Sequence, residues 1–345
     1  MKKFFITCLL LIVIAASSAF YVWQDIHKVM SSAVFIEGVN KTFIVKRGVG
    51  FSRLTEELKA AKLIDNDLYF KLYAKYYQAG KNIKAGEYSV VAGTDPIALL
   101  ELFSSGKVVS HNVSFIEGSN AKELRAQLLN HRQILVLKST EMSEVELLQA
   151  IGAKEKKLEG LLLAETYKVE RGSTDIALLK RAYQSMQRIL AKQWQQRDFK
   201  LPYKTPYEAL IMASIVEKET GASKERPVIA GVFVNRMNIR MRLQTDPTVI
   251  YGMGDRYKGN ITRADLRRPT AYNTYVIKRL PPSPIATVGP EAIKAALNPE
   301  KTKYLYFVAK GDGTHQFSKN LRDHNNAVRR YQLKRKKSYR SSVSN

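Results

Sequence analysis

Apolar positions are unevenly distributed along the chain, and the longest uninterrupted run comes first. From Phe4 to Trp23 no side chain carries a charge, and a helix rising about 1.5 Å per residue over that stretch matches a hydrocarbon layer of roughly 30 Å. Lys2 and Lys3 precede it, which predicts a cytoplasmic start and an exported remainder, with Tyr21 and Trp23 at the outer interface. A cleaved signal peptide explains the same run differently, with Ser17-Ser18-Ala19 as the processing site. Under either reading the working part of the chain lies outside the cytoplasm.

After the anchor (residues 1–24) and a connector (25–42), shorter periods take over. Phe43-Ile44-Val45 reads as a strand, Gly48 and Gly50 as a loop, and Ser52 as the cap of a helix with Leu54, Leu58 and Ala61 on one face. Asp65 caps a second helix carrying Leu68, Leu72 and Tyr76, and Glu87-Tyr88-Ser89-Val90-Val91 returns as a strand, so residues 43–106 form a small βααβ module. The opening recurs: Gly118 follows a strand ending at Phe115-Ile116, and Leu124 and Leu128 keep the offsets from Gly118 that Leu54 and Leu58 keep from Gly48. Residues 107–200 read as a second α+β segment that ends in an amphipathic helix from Leu178 to Trp194.

From Leu201 apolar helices alternate with polar loops rich in Pro, Asn and Thr, which predicts a mostly helical domain over residues 201–332. Tyr304–Val308 and Thr314–Phe317 flank Lys310-Gly311-Asp312-Gly313 as a β-hairpin, and a last helix runs through His324, Val328 and Tyr331. A basic tail, residues 333–345, contains Lys334-Arg335-Lys336-Lys337. The fold class is α+β.

The helix from Thr205 to Gly221 is the most informative. Thr205 is the N-cap, Pro206 suits the first position, Glu208 completes a capping box and Gly221 is the stop. Leu210, Ile211, Met212, Ala213, Ile215 and Val216 cover nearly the whole circumference, so the helix is buried and its charges need a reason. At 100° per residue Glu217 falls toward the polar sector that holds Lys218, whereas Glu219 falls among Ile215, Met212 and Val216. Desolvation and the negative end of the helix both raise the pKa of a carboxyl placed like Glu219, which suits a general acid. A structural glutamate bonded to a neighbouring loop fits this helix equally well.

Composition narrows the classes. The 56 Lys and Arg against 31 Asp and Glu leave a net charge of +25, which favours nucleic acid, acidic lipid or an acidic wall polymer; no nucleic-acid motif is present. The only cysteine, Cys8, lies in the apolar run, so no disulfide or thiolate site is expected. His315 and His324 fit no standard metal spacing, no glycine loop for phosphate is present, and no metal or cofactor is expected.

Glu219-Thr220 at a helix end, Leu243-Gln244 in a loop and Ala271-Tyr272-Asn273 resemble the Glu-Ser, Leu-Met-Gln and Ala-Tyr-Asn pattern of lysozyme-like lytic transglycosylases. More closely, the runs from Ala213 to Thr220, Arg242 to Gly252 and Pro269 to Tyr275, with Leu280-Pro281-Pro282, resemble the MltG-type (YceG-like) endolytic murein transglycosylases. The resemblance implies a single-pass protein of the cell inner membrane, a LysM-like module in the first hundred residues and a lysozyme-like catalytic domain facing the periplasm. It implies Glu219 as the catalytic acid, with Gln244, Tyr272 and Asn273 against the sugars. Peptidoglycan strands are the implied substrate and peptidoglycan synthases the implied partners. One departure is that Glu159-Gly160 is followed by Ala164-Glu165-Thr166-Tyr167 where the family shows Pro-Asp-Thr-Tyr, so Glu165 receives no role. Two other classes stay open: a hydrolase with Asp246 as second carboxylate, although Asp246 before Pro247 also reads as a helix cap, and a non-catalytic wall-binding scaffold.

Overall fold

The computed structural model describes residues 1–33 and 40–333, so the basic tail beyond Leu333 and part of the connector lie outside the described residues. The chain forms two compact units: Met1–His111 with Val169–Gly172, and Asn112–Lys168 with Ser173–Asn345. Most of the second α+β segment, residues 107–200, falls in the same unit as the helices that follow it.

The first unit opens with α1 (Lys2–Met30), which runs past the expected end of the anchor. Ile26 and Met30 are 3% and 1% exposed because α1 packs on α3 (Asp67–Tyr76), so the first part of the expected connector is helix with a buried face. Between them come β1 (Asn40–Val45) and α2 (Phe51–Ala60); β2 (Gly86–Val91) and α4 (Pro96–Ser105) follow. β1 and β2 pair antiparallel from Asn40↔Val91 to Val45↔Gly86. The two-residue period turns Phe43, Val45, Tyr88 and Val90 inward onto Leu54, Leu58, Phe70, Leu99 and Phe103. The βααβ order holds, with each helix start moved by one or two residues: Gly50 rather than Ser52 precedes α2, and the Asn66 side chain rather than that of Asp65 accepts from the third residue of α3, at 3.0 Å.

A second βααβ order follows: β3 (Ser110–Ser114), α5 (Ala121–Leu129), α6 (Glu144–Ile151) and β4 (Thr166–Glu170), with β3 paired to β4. Gly48 and Gly118, the matched glycines, have φ of 76° and 75°, a left-handed turn that favours glycine.

The rest of the second unit consists of α7 (Asp175–Gln195), α8 (Pro206–Glu219), α9 (Arg226–Asn238), α10 (Asp246–Met253), α11 (Arg263–Arg267), α12 (Pro290–Leu297), the antiparallel hairpin β5 (Tyr306–Ala309) and β6 (His315–Ser318), and α13 (Leu321–Val328). α8 is its axis: α7, α9, α10 and α12 pack around it, and every residue from Ala209 to Glu217 is buried. α9 is pinned halfway along, because the Glu300 carbonyl lies where a Cβ on Gly231 would stand. Asn235 Nδ2 extends the seam, donating to the carbonyls of Thr302 and Tyr304, both at 3.0 Å.

Candidate active site

The buried axis ends at the site. α8 starts as its sequence dictates, with the Glu208 N–H donating to Thr205 Oγ1 at 3.2 Å, although the Glu208 carboxylate reaches the N–H of Lys204, at 2.6 Å, rather than closing the box on Thr205. It stops because Thr220 turns extended at φ −147°; Gly221 is not among the glycines with positive φ, which corrects the expected glycine stop. Glu219 is thus the last helical residue, and its carboxyl opens into a cleft of about 1250 Å³ shared with Gln244, Thr245, Asp246, Tyr275 and Tyr306. Burial pushes this carboxyl up to about 7 and Asp246 pushes the same way, while the Thr245 hydroxyl, which donates to Glu219 Oε1, and Arg236 pull it back.

Glu217 corrects the helical-wheel reading. It does not face a polar surface: it is 9% exposed and its Oε1 accepts from the Arg226 guanidinium at 2.7 Å, with Glu117 on the same guanidinium at 3.0 Å. The wheel orders faces by composition, and here the polar sector is roofed by Arg226 at the start of α9. Burial raises this carboxyl as well, against the pull of Arg226. Lys218, its neighbour on the wheel, is exposed and donates to the Gly118 carbonyl at 3.0 Å.

The loop beneath Glu219 is fixed by two hydroxyls, those of Thr248 and Thr274. The Thr245 N–H donates to Thr274 Oγ1 at 3.0 Å, Thr248 Oγ1 donates to the Thr245 carbonyl at 2.7 Å, and the Thr248 and Thr274 hydroxyls lie 2.8 Å apart. Arg236, 7% exposed, donates to the carbonyls of Leu243 and Leu305, both at 2.6 Å, and its guanidinium lies 5.2 Å from the Tyr306 ring centre. One side chain therefore joins loop, hairpin and cleft wall. Gln244 has φ 51°, a conformation that costs a non-glycine residue of order 1 kcal/mol and that marks functional loops. Its side chain is exposed on the cleft while its N–H donates to the Thr274 carbonyl at 3.2 Å.

Tyr272 and Asn273 are not brought to the cleft with Glu219. Tyr272 lies behind, its hydroxyl 2.7 Å from that of Ser283 and its ring 4.8 Å from Tyr251. Asn273 is 1% exposed; its amide donates to the carbonyls of Asp265, Leu266 and Arg268 and its oxygen accepts from the Tyr275 N–H. The expectation of a sugar contact from Asn273 is corrected to the fastening of a loop, because both ends of its amide are engaged by backbone. That loop carries Tyr275, whose hydroxyl donates to Asp246 Oδ1 at 2.6 Å inside the cleft. Asp246 itself is the first residue of α10, with Thr245 in the cap position, so its reading as a cap moves by one residue. Glu165 is exposed. His315 lines the cleft with Nδ1 2.7 Å from Glu225, and His324 stacks at 5.1 Å on Tyr306.

Thr245, Tyr275 and Arg236 are the members that sequence reasoning missed. The first two stand inside the runs already singled out, and the sign for Arg236 is a cation that follows the apolar stretch Ile229, Ala230, Val232, Phe233 and Val234 on a buried helix, an anomaly like the one that exposed the glutamates.

Comparison with known proteins meets this geometry. An endolytic murein transglycosylase of Bacillus subtilis (strain 168) is 29% identical over 86% of this chain and 87% of its own length. One from Streptococcus pneumoniae serotype 2 is 25% identical over 95% of this chain, which spans 65% of that longer protein. The crystal structure of a YceG-like protein from Listeria monocytogenes superposes with a TM-score of 0.53 at 30% identity, over 83% of this chain and 98% of the other. The YceG-like family model matches residues 43–330, and the chain belongs to the YceG-like family.

Proposed function

We propose that the protein is an endolytic murein transglycosylase that cuts peptidoglycan strands with Glu219 as its one proton-transferring group. The observation that carries the reading is the Glu219 carboxyl, raised to about 7, on the wall of a cleft of about 1250 Å³. A general acid must hold its proton near the working pH, and burial does that here.

In the proposed reaction, Glu219 gives its proton to the glycosidic oxygen between N-acetylmuramic acid and N-acetylglucosamine as the bond from that oxygen to muramyl C1 breaks. The muramyl C6 hydroxyl oxygen then bonds to C1, and its proton passes to the Glu219 carboxylate. The acid is restored, a 1,6-anhydro end forms, and no water is consumed. Thr245 holds one carboxyl oxygen and leaves the other for the proton. Gln244 offers an amide to an N-acetyl group or hydroxyl. Asn273 acts from behind, by fixing the loop that brings Tyr275 to Asp246.

α1 serves as the anchor in this reading: among the described residues it is the one helix long and apolar enough to cross a membrane, and Lys2 and Lys3 favour an inside start. The βααβ module is read as LysM-like, and synthases as partners, on family resemblance. Digestion of isolated sacculi tests the activity. Anhydromuramyl ends released from within strands are expected; reducing ends would turn the reading to a hydrolase using Asp246, and disaccharides trimmed from chain ends would remove the endolytic assignment.

A further inference from the structure

We infer that the first unit is seated in the phospholipid headgroup layer, with the end of α3 and the turn after it as the lipid-facing surface. The inference rests on the anchor reading of α1, and everything it uses lies within that unit. α1 is unbroken from Lys2 to Met30. Its exposed apolar residues run from Phe4 to Val22, and with Trp23 it begins to bury a face in the unit. No flexible link separates the spanning part from the packed part. If the run ending at Trp23 fills the hydrocarbon layer, the seven residues that follow rise only about 10 Å, which scarcely clears the headgroup region.

What packs around Trp23 is therefore held at that depth. The rings of Tyr76 and Tyr77 lie 4.5 Å and 6.3 Å from Trp23, and those of Tyr73 and Tyr77 lie 5.4 Å and 6.2 Å from His27. At the far end of α1, Met30 borders Asn66 and Phe70, and Asp25, between Trp23 and His27, accepts from the long-reaching Tyr69 hydroxyl at 2.8 Å. α3 accordingly runs back toward the bilayer. Its last residues remain open: Tyr76 is 67% exposed, Tyr77 49% and Leu72, one turn earlier, 42%. Exposed tyrosines grouped on a tryptophan at the end of an apolar helix suit the headgroup boundary, where an apolar ring with a polar tip is favoured.

Charge points the same way. Between Asp67 and Glu87 the chain carries Lys71, Lys75, Lys81 and Lys84 and no acid. Lys75 and Lys81 are exposed on either side of the two tyrosines. Basic residues at this depth are attracted to anionic lipid headgroups. A lipid surface is thus favoured over a second protein copy, whose identical lysines would repel.

The test uses the full chain with Cys8→Ser, one copy per nanodisc of mixed zwitterionic and anionic phospholipid, and one nitroxide label at a time on Leu11→Cys, Lys75→Cys, Lys81→Cys or Asp65→Cys. Accessibility to oxygen, enriched in lipid, is compared with that to a water-soluble nickel chelate. Leu11 should read as hydrocarbon, Asp65 as water, and Lys75 and Lys81 as interface, with an oxygen-to-nickel ratio several-fold above that of Asp65. Ratios at Lys75 and Lys81 equal to that at Asp65 overturn the seat while leaving the anchor intact. A water-like Leu11 overturns the anchor itself. A further arm separates lipid from a protein occupant: an interface signal at Lys75 and Lys81 that appears only with two copies per disc also overturns the proposal.

Discussion

Glu217 and Glu219 stand two residues apart on one helix and end in opposite circumstances. Both carboxyls are raised by burial. Glu217 is closed in by Arg226 on a face shared with Glu117, whereas Glu219 opens onto the cleft and is touched by one hydroxyl. A perturbed carboxyl is therefore insufficient to propose an acid catalyst; opening onto the cleft and the lack of a direct ion pair separate Glu219 from Glu217. The ion pair fixes Glu217 in place, and in the proposed reading Glu219 is left to transfer a proton.

The sharpest way to break this contrast is to neutralise each glutamate in turn. Glu219→Gln should lower the rate of anhydro-end formation by about 100- to 10,000-fold, toward the upper end because the same group acts twice, with the fold retained by circular dichroism. Glu217→Gln should keep activity within several-fold. The reverse outcome would move the catalytic role to Glu217.

Stability should sort them the other way. Glu217→Gln removes a buried partner of Arg226 but leaves Glu117, so a loss of about 2 kcal/mol in denaturant titration is expected, below the full cost of breaking an isolated buried pair. For Glu219 the pH dependence gives the sign. Its folded value is about 7 against 4.5 for an ordinary glutamate, so between those values the native state binds the extra proton. Stability is then highest below about 4.5, falls as pH rises to about 7 and flattens above, by at most about 3 kcal/mol. Glu219→Gln should remove its own share of the slope and leave that of Glu217 and Glu159, whose carboxyls burial raises to about 7 as well; an unchanged profile would show that the Glu219 carboxyl is not held neutral.

The smallest effect concerns the hydroxyl. Thr245→Val removes the one donor that lowers the Glu219 carboxyl, so the alkaline limb of the rate profile should move to higher pH, and Thr245→Ser should restore it. A fall in rate with no movement of the limb would assign Thr245 to packing alone.

How far the sequence reaches follows from the same residues. Strands, helices and hairpin were legible because a two-residue or 3.6-residue period records which face is buried, and Thr205 with Pro206 marks the start of α8 in one line of text. Glu219 stood out because a charge on a buried helix is an anomaly. The shelter over Glu217 was not, because it comes from Arg226 on another helix and Glu117 a hundred residues earlier. Asn273 misled for a related reason: an amide in a polar loop looks the same whether it faces a sugar or the loop's own carbonyls. The continuation of α1 was hidden because Gln24, Asp25 and Lys28 end the apolar run although Ile26 and Met30 continue a buried stripe.

Gly231 gives the packing a genetic meaning. α9 carries Arg226 at its first position and Arg236 ten residues on, so the one helix serves both glutamates from opposite ends, and its axial setting depends on the Glu300 carbonyl passing where a side chain would begin. In a saturation screen this glycine should behave as a pleiotropic locus: even alanine there should displace both arginines together, coupling loss of stability to loss of cutting. A suppressor is expected in the segment around Glu300, on the far side of the contact, and not among the residues that meet the sugar.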